Sequence, residues 1–319
     1  MLSDPHPRQV EMMAALDAAS GKLMRMILHH PDFMAMEAAW KGLFFLVSRL
    51  ETDALLKLYL LDISKEELAV DLGTVENLHS TGLYRLLVGQ SIETLGGEPW
   101  AVLIGNYHFE KRQEDIDFLG RMAKIAKASG APFIAAASDK MVCQLSLTKT
   151  PDPDDWEQSS DPEALQAWQA LRELPEAAYI GLVLPRFLLR LPYGADTEPV
   201  ESFDFEELPS PLDHETCLWG NSCFACALLL GQAFSLNGWQ LRPGDQLDVN
   251  NLPLYLYKDN TESKLLPCAE TLLTQRAADY CLFSIRTPSA LPAFRPLQHP
   301  FAGWRGDGGN NDILFDKIE

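Results

Sequence analysis

A strand, a helix and a second strand follow one another between residues 99 and 138, and this succession restricts the chain to few folds. The run PWAVLIGNYHF (99–109) is strongly apolar, and so is APFIAAAS (131–138). Between them, EDIDFLGRMAKIAKASG (114–130) has helical spacing and ends on a glycine. Short apolar strands joined through a helix are typical of a βαβ unit with a buried parallel pair. The sequence therefore predicts an α/β fold of mixed sheets flanked by helices.

The first 50 residues predict two helices separated at Pro31. In the first helix, apolar residues recur at roughly helical intervals from Val10 to Ile27, through Met13, Leu16 and Leu23. In the second, Asp32 is the predicted N-cap. Its apolar residues recur at steps of three and four, which predicts a buried face: Phe33, Met36, Trp40, Leu43, Phe44 and Val47.

Further elements follow along the chain. The apolar run over residues 57–64 predicts a strand, and Ser64 with Glu67 three residues later predicts a capping box at the start of a helix. A helix is predicted over 163–174 and one long strand over 177–191. Short strands are predicted at GWQLR, LPLYLY and DYCLFSI, residues 238–242, 252–257 and 279–285.

Composition shifts suggest where the chain divides. The acidic, proline-containing segment TPDPDDWEQSSDPE begins at residue 150, and the stretch after residue 290 is rich in Pro and Gly without periodicity. We expect a helical N-terminus plus a first α/β lobe over 1–150, a second lobe over 151–290, and an extended tail over 291–319.

Composition also limits the classes of partner. The 319 residues are 47% hydrophobic and 22% charged, which is typical of a globular protein. Asp plus Glu number 45 against 26 Lys plus Arg, a formal net charge of −19. Such a charge argues against binding nucleic acid or an anionic membrane. No secretory signal is visible, and six cysteines in a chain of this length suggest reduced thiols, so we expect a cytoplasmic protein.

The segment CLWGNSCFACALLL (217–230) raises the question of a metal or redox site. His214, Cys217, Cys223 and Cys226 offer four possible zinc ligands, and the last two have the C-x-x-C spacing of redox motifs. However, SCFACALLLGQAF is apolar almost all round, which predicts a buried helix in which cysteine acts as a small hydrophobic residue. We favour the buried interpretation and predict no metal, no cofactor and no catalytic residue. The chain also has no phosphate-binding glycine motif and no nucleophile elbow.

Two arginines stand apart from the other charged residues. Arg186 and Arg190 are four residues apart among apolar neighbours, in the segment predicted as one strand. That spacing would place both side chains on one face. Paired with carboxylates, they could hold an interface or a buried bridge, which is a structural role.

Five stretches together resemble the large subunit of the type VI secretion contractile sheath, a bacterial assembly. They are ILHHPDFMAMEAAWKGLFFLVSRLETD (27–53), GGEPWAVLIGNYHF (96–109), APFIAAAS (131–138), LPRFLLRLPYGADTEPVESFDFEE (184–207) and LWGNSCFACA (218–227). The motif positions that match are Glu37, Trp40, Gly42, Leu43, Glu51, Thr52, Asp53, Arg190, Leu191, Pro192, Tyr193, Gly194, Leu218, Trp219, Gly220 and Asn221. Leu50 departs from the family pattern, which has Thr there.

The resemblance implies a sheath-like body in two lobes. It also implies structural or interface roles for Glu37, Trp40, Gly42, Leu43, Glu51, Asp53, Arg186, Arg190, Pro192, Tyr193, Gly194, Trp219, Gly220 and Asn221. Family members carry plain packing residues where this chain has Cys223 and Cys226, so the resemblance implies no essential metal. The family's further N-terminal segment and its C-terminal strand-exchange region would be missing if these 319 residues were the whole protein.

The resemblance implies a non-enzymatic assembly protein whose partners are the large and small sheath subunits or other secretion components. We expect an accessory that docks on the sheath or its end, as a cap, terminator or regulator. Two alternatives stay open, an ordinary building block that pairs with a small subunit, and a thiol- or zinc-dependent enzyme on a sheath-like body. Self-association is a further possibility.

Overall fold

The computed structural model describes residues 7–73, 77–141, 161–208, 214–241, 248–259, 262–270 and 283–284. The chain forms two compact units built from separate segments. The first unit comprises Met1–Phe44, Phe187–Gly220 and Asn251–Cys268, and the second comprises Phe45–Arg186, Asn221–Asn250 and Ala269–Glu319. The predicted lobe boundary near residue 150 and the predicted tail lie outside the described residues.

The α-helices are α1 (Pro7–Leu28), α2 (Pro31–Val47), α3 (Lys65–Gly73), α4 (Gly82–Tyr84), α5 (Gln113–Ser129), α6 (Pro162–Glu173) and α7 (Ser222–Asn237). The strands are β1 (Leu103–Phe109), β2 (Phe133–Ala137), β3 (Ile180–Leu184), β4 (Phe187–Leu188), β5 (Trp219–Gly220), β6 (Tyr255–Asp259), β7 (Glu262–Leu266) and β8 (Phe283–Ser284). The prediction of an α/β fold is confirmed.

The second unit is organised around a parallel sheet. Its strands lie in the order β1-β2-β3-β8, and each neighbouring pair is parallel. The predicted βαβ unit is confirmed, since α5 connects β1 to β2 and ends on Gly130 in the left-handed conformation, φ 67°. All five residues of β2 are buried, as expected for a strand between two others in a covered sheet.

The start of α3 confirms the predicted capping box. The Ser64 backbone N–H donates to Glu67 Oε2 over 2.9 Å, and the Glu67 N–H donates to Ser64 Oγ over 3.1 Å. The prediction of a strand over 57–64 is wrong, because these residues make no ladder with any described strand. Leu58, Tyr59 and Leu60 are exposed there, so apolar content by itself did not ensure strand pairing.

The predicted long strand over 177–191 is also wrong. It is divided into β3, in the second unit, and β4, in the first. The division falls at a cis peptide bond between Leu184 and Pro185. Proline lacks the backbone N–H that a ladder needs, so a continuous central strand cannot run through it. Likewise, GWQLR does not form a strand, since Gly238–Gln240 is a 3₁₀ turn that follows α7.

The first unit contains α1, most of α2 and two antiparallel strand pairs, β4 with β5 and β6 with β7. Helix α2 begins at Pro31, so Asp32 lies in its first turn and is not the N-cap. The predicted buried face of α2 is wrong for Met36, Trp40, Phe44 and Val47, which are exposed. Periodicity locates an apolar face but does not show what covers it.

No described helix is long and apolar enough to span a membrane.

Candidate functional site

A buried arginine, Arg190, lies two residues beyond β4 in the first unit. Its Nε donates to Glu37 Oε1 of α2 over 2.7 Å, and its Nη2 to Glu37 Oε2 over 3.2 Å. Its Nη1 and Nη2 donate to the two carboxylate oxygens of Glu207 over 2.7 and 2.9 Å. One guanidinium therefore holds two carboxylates, each by a two-point contact. We call these three residues the Arg190 network.

Burial and neighbouring charges shift the pKa of Arg190 in opposite directions. Burial disfavours the charged guanidinium, but hydrogen bonds and charge from Glu207 and Glu37 outweigh it and raise the pKa of Arg190 above its ordinary value. The arginine therefore remains charged at any working pH. Because both charge partners are removed from water, loss of either carboxylate would leave part of the guanidinium uncompensated.

Neighbouring groups extend the Arg190 network. The Tyr193 backbone N–H donates to Glu207 over 2.8 Å, and the Arg190 guanidinium lies 4.6 Å from the centre of the Tyr193 ring. At the end of α1, His29 Nε2 lies 3.6 Å from Glu207 Oε1. The network therefore joins α2, the segment after β4 and the segment around Glu207. Sequence reasoning did not single out Glu207, because it is one of three acidic residues in FDFEEL (203–208) and nothing local distinguishes it from the others.

The remaining family-motif residues of this segment are tightly packed. Pro192 and Gly194 are buried. A Cβ on Gly194 would fall on the Glu206 carboxylate, and one on Gly220 would lie 2.8 Å from Leu189 Cγ. Trp219 is buried, and its Nε1 donates to the His214 carbonyl oxygen over 2.9 Å.

Two motif residues of the second unit, Asn221 and Asp53, accept hydrogen bonds from backbone N–H groups that follow them in the chain. Asn221 caps α7, since its side-chain oxygen accepts from the Cys223 N–H, and its Nδ2 donates to the Tyr107 carbonyl of β1 over 3.2 Å. The Asp53 carboxylate accepts from the N–H groups of Leu56 and Leu55, which lower its pKa. Glu51 is exposed.

Arg186 and Arg190 belong to different units, so the prediction that they share one face of a strand is wrong. Arg186 pairs with Glu270, a carboxylate that is itself buried, and its Nε donates over 2.9 Å. Both arginines thus pair with carboxylates, but in separate places.

Three motif residues of α2 differ in exposure. Gly42 is buried and Leu43 half-buried, whereas Trp40 is 65% exposed. Met36 and Phe44, one helical turn on either side of Trp40, are exposed as well. We call Met36, Trp40 and Phe44 the α2 patch. Helix geometry places residues four apart on one face.

The four possible zinc ligands are placed as follows. His214 stacks on Trp219 with ring centres 4.4 Å apart, and Cys217 packs with Leu188, Trp219 and Leu266 in the first unit. Cys223 and Cys226 lie within α7 of the second unit, fully buried. Burial raises the pKa of both α7 thiols, which keeps them in the protonated form that neither attacks nor ligates well. Among the described residues, none of these cysteines belongs to a trio of side chains close enough to hold a metal ion.

A second charged cluster lies at the end of β1 in the second unit. Lys65 Nζ donates to Asp115 Oδ1 over 2.7 Å and to the His108 carbonyl over 2.6 Å. The His108 side chain is exposed at its edge, yet partial desolvation of the imidazole, followed by the positive charges of Arg186 and Lys65, lowers its pKa to about 4. Sequence reasoning did not identify this cluster, because its members are far apart in the chain.

Comparison with known proteins places these features in a family. The model of the tail sheath N-terminal domain, EvpB/VC_A0108 (VipB), matches residues 10–282. The chain belongs to this sheath family. Over 242 residues it is 39% identical to the type VI secretion system sheath protein TssC1 of Pseudomonas aeruginosa, a match that covers 75% of this chain and 49% of that protein. The chain thus spans about half the length of this relative. The resemblance drawn from the sequence motifs is confirmed at the level of the family.

Proposed function

We propose that this chain is a non-enzymatic structural protein of the cytoplasm that docks on a type VI secretion sheath or on its end, as an accessory to its assembly. The observation that carries the proposal is the 39% identity to a protein named as a sheath protein. The buried charges support a structural role, since Arg190 and both its carboxylates are used to join segments of the chain.

The α2 patch is the proposed contact surface. An exposed Trp flanked by two other large apolar residues is the kind of cluster that supplies most of the binding energy in protein interfaces. Trp40→Ala should therefore weaken docking on sheath subunits at least about tenfold. Ile92→Ala, which removes an exposed apolar side chain from the second unit, is the matched control and should leave docking unchanged.

A second candidate is an ordinary building block, which is favoured because the relative is itself named a sheath protein. Co-expression with the large and small sheath subunits, followed by electron microscopy, separates the two. An accessory binds tubes that form without it, and it changes their length or marks their ends. A building block forms long tubes with the small subunit alone. Absence of both outcomes would overturn the sheath proposal.

The proposal that this chain is not an enzyme can be tested separately. Cys223 and Cys226 should resist alkylation in the folded protein at mildly alkaline pH and react after unfolding, because burial raises the pKa of each thiol. Rapid labelling of either thiol in the native chain, or a bound zinc that is lost in Cys223→Ser, would support the thiol or zinc enzyme instead.

A further inference from the structure

The C-terminal half of helix α1 packs on a short segment of the first unit. A Cβ on Gly21 would lie 3.6 Å from the Phe205 ring. One turn later, Arg25 Nη1 donates to the Glu206 carbonyl oxygen over 2.9 Å, and the guanidinium lies 5.8 Å from the centre of the Phe205 ring. No residue from 7 to 20 is buried. The burial of α1 therefore begins at these contacts.

A third contact on this side of α1 involves an ionisable residue. His29 follows Arg25 by four residues, directly after the end of the helix, and its Nε2 lies 3.6 Å from Glu207 Oε1. This Nε2 is buried, and no polar group of the described residues forms a hydrogen bond with it. A neutral imidazole carries a proton on one nitrogen, whereas the imidazolium carries one on both. Protonation of His29 therefore ensures a donor at Nε2 and gives the ring a charge opposite to that of Glu207.

The Arg190 network has an excess of negative charge. One positive guanidinium faces the two negative carboxylates of Glu37 and Glu207, so the three side chains together carry one net negative charge. The Glu207 side chain is 2% exposed, whereas that of His29 is 20% exposed. Protonation of His29 therefore costs only part of the hydration of its ring, while it compensates a carboxylate that has lost nearly all of its own.

The other charged groups around this contact are mainly acidic. On α1, the nearest charged residues in the sequence are Lys22 and Arg25, both positive. The neighbouring rings of Tyr193 and Tyr255 lie in the field of Arg190, of Glu207 and of four further carboxylates, those of Glu37, Asp196, Glu198 and Glu206. The carboxylates outnumber the basic groups, which favours a positive charge on His29.

We propose that His29 is a pH-sensitive contact that holds the end of α1 on the first unit. In its protonated form the imidazole binds Glu207, and in its neutral form it releases this carboxylate. The charged imidazole gains an attraction that a detached α1 lacks, so the contact is strongest at mildly acidic pH and is lost as the pH rises towards 8. The inference does not depend on the proposed sheath role, because it concerns the purified chain alone.

Hydrogen exchange of the last two turns of α1, measured by mass spectrometry, tests the proposal. Each variant is compared with the unmodified chain at the same pH, which removes the pH dependence of the exchange chemistry itself. His29→Gln should exchange at least about threefold faster than the unmodified chain at pH 6 and at nearly the same rate at pH 8. His30→Gln replaces the adjacent histidine, whose side chain is 60% exposed, and should match the unmodified chain at both pH values.

Glu207 provides a second, coupled test. In a Glu207→Gln background, His29→Gln should leave the exchange of α1 unchanged at both pH values, because the partner charge is absent. Circular dichroism of each variant checks that the fold is retained. An effect of His29→Gln that is the same at pH 6 and pH 8 would assign this residue a packing role and overturn the proposal. Equal effects of His29→Gln and His30→Gln would overturn it as well.

Discussion

Arg190 is a buried residue of the first unit that pairs with two carboxylates. Its charge is removed from water and balanced by Glu37 and Glu207, which come from segments far apart in the sequence. A buried ion pair of this kind contributes less than its Coulomb attraction suggests, but breaking it is costly. The family motifs that contain Glu37 and Arg190 therefore meet in one buried ion-pair network.

Glu207→Gln should lower the free energy of unfolding by about 2 kcal/mol, since a charged acceptor of two guanidinium bonds is lost in a buried site. Urea unfolding followed by tryptophan fluorescence measures the change. Glu201→Gln, an exposed glutamate of the same segment, should change stability by less than about 0.5 kcal/mol. Equal stabilities of the two variants would contradict the role given to Arg190.

His108 should make stability depend on pH. Its pKa in the folded protein is about 4, below the ordinary 6.5, so the unfolded chain binds more protons between these values. Stability should therefore fall as the pH is lowered through this window. The charged groups that act on His108 are Arg186, Lys65, Glu270 and Asp139.

His108→Gln should reduce the drop in melting temperature between pH 6.5 and pH 4, because the titrating group is gone. Differential scanning fluorimetry at a series of pH values gives the measurement. His79→Gln, which removes a different histidine of the same unit, away from Arg186 and Lys65, should retain the drop seen in the unmodified chain. The interpretation fails when both variants follow the same curve.

At the scale of elements, the packing of α5 and β1 decides which glycines are replaceable. Gly105 lies in β1, where a Cβ would come within 2.5 Å of the Phe133 ring. Gly120 lies within α5, where a Cβ would make an ordinary contact of 3.6 Å with Leu171. One glycine is therefore required by the strand, and the other only weakens the helix.

Gly105→Ala should destabilise the chain by about 1–3 kcal/mol through overpacking. Gly120→Ala should stabilise it by about 0.5–1 kcal/mol, because alanine is the better helix former. Thermal unfolding of the two variants beside the unmodified chain distinguishes these signs. A shift in the same direction for both would refute the packing argument.

At the scale of the whole molecule, stability should be uneven. The strand β2 is buried throughout, and α7 has eleven buried residues, whereas residues 7–19 of α1 have none. Local opening needs least free energy where few contacts are lost.

Hydrogen exchange of a dilute sample should therefore be slowest in Phe133–Ala137 and α7 and fast in residues 7–19. Mass spectrometry of peptic fragments provides the comparison. Strong protection of residues 7–19 in a dilute sample would contradict the exposure of that helix.

Local patterns in the sequence determined much of the second unit. The βαβ order, the capping box of Ser64 with Glu67 and the buried helix around Cys223 and Cys226 were predicted, because each depends on neighbours within a few residues. The family could also be recognised from the sequence, since short motifs such as LPYG and LWGN keep their residues and their order.

Only the tertiary structure decided which segments meet. The pairing of Arg190 with Glu37 and Glu207 joins residues up to 153 positions apart, which no local pattern encodes. Periodicity likewise gave apolar faces on α1 and α2, but exposure depends on what lies opposite them. The division of 177–191 at Pro185 followed from the missing N–H of proline, yet the units that receive its two halves are set by long-range packing.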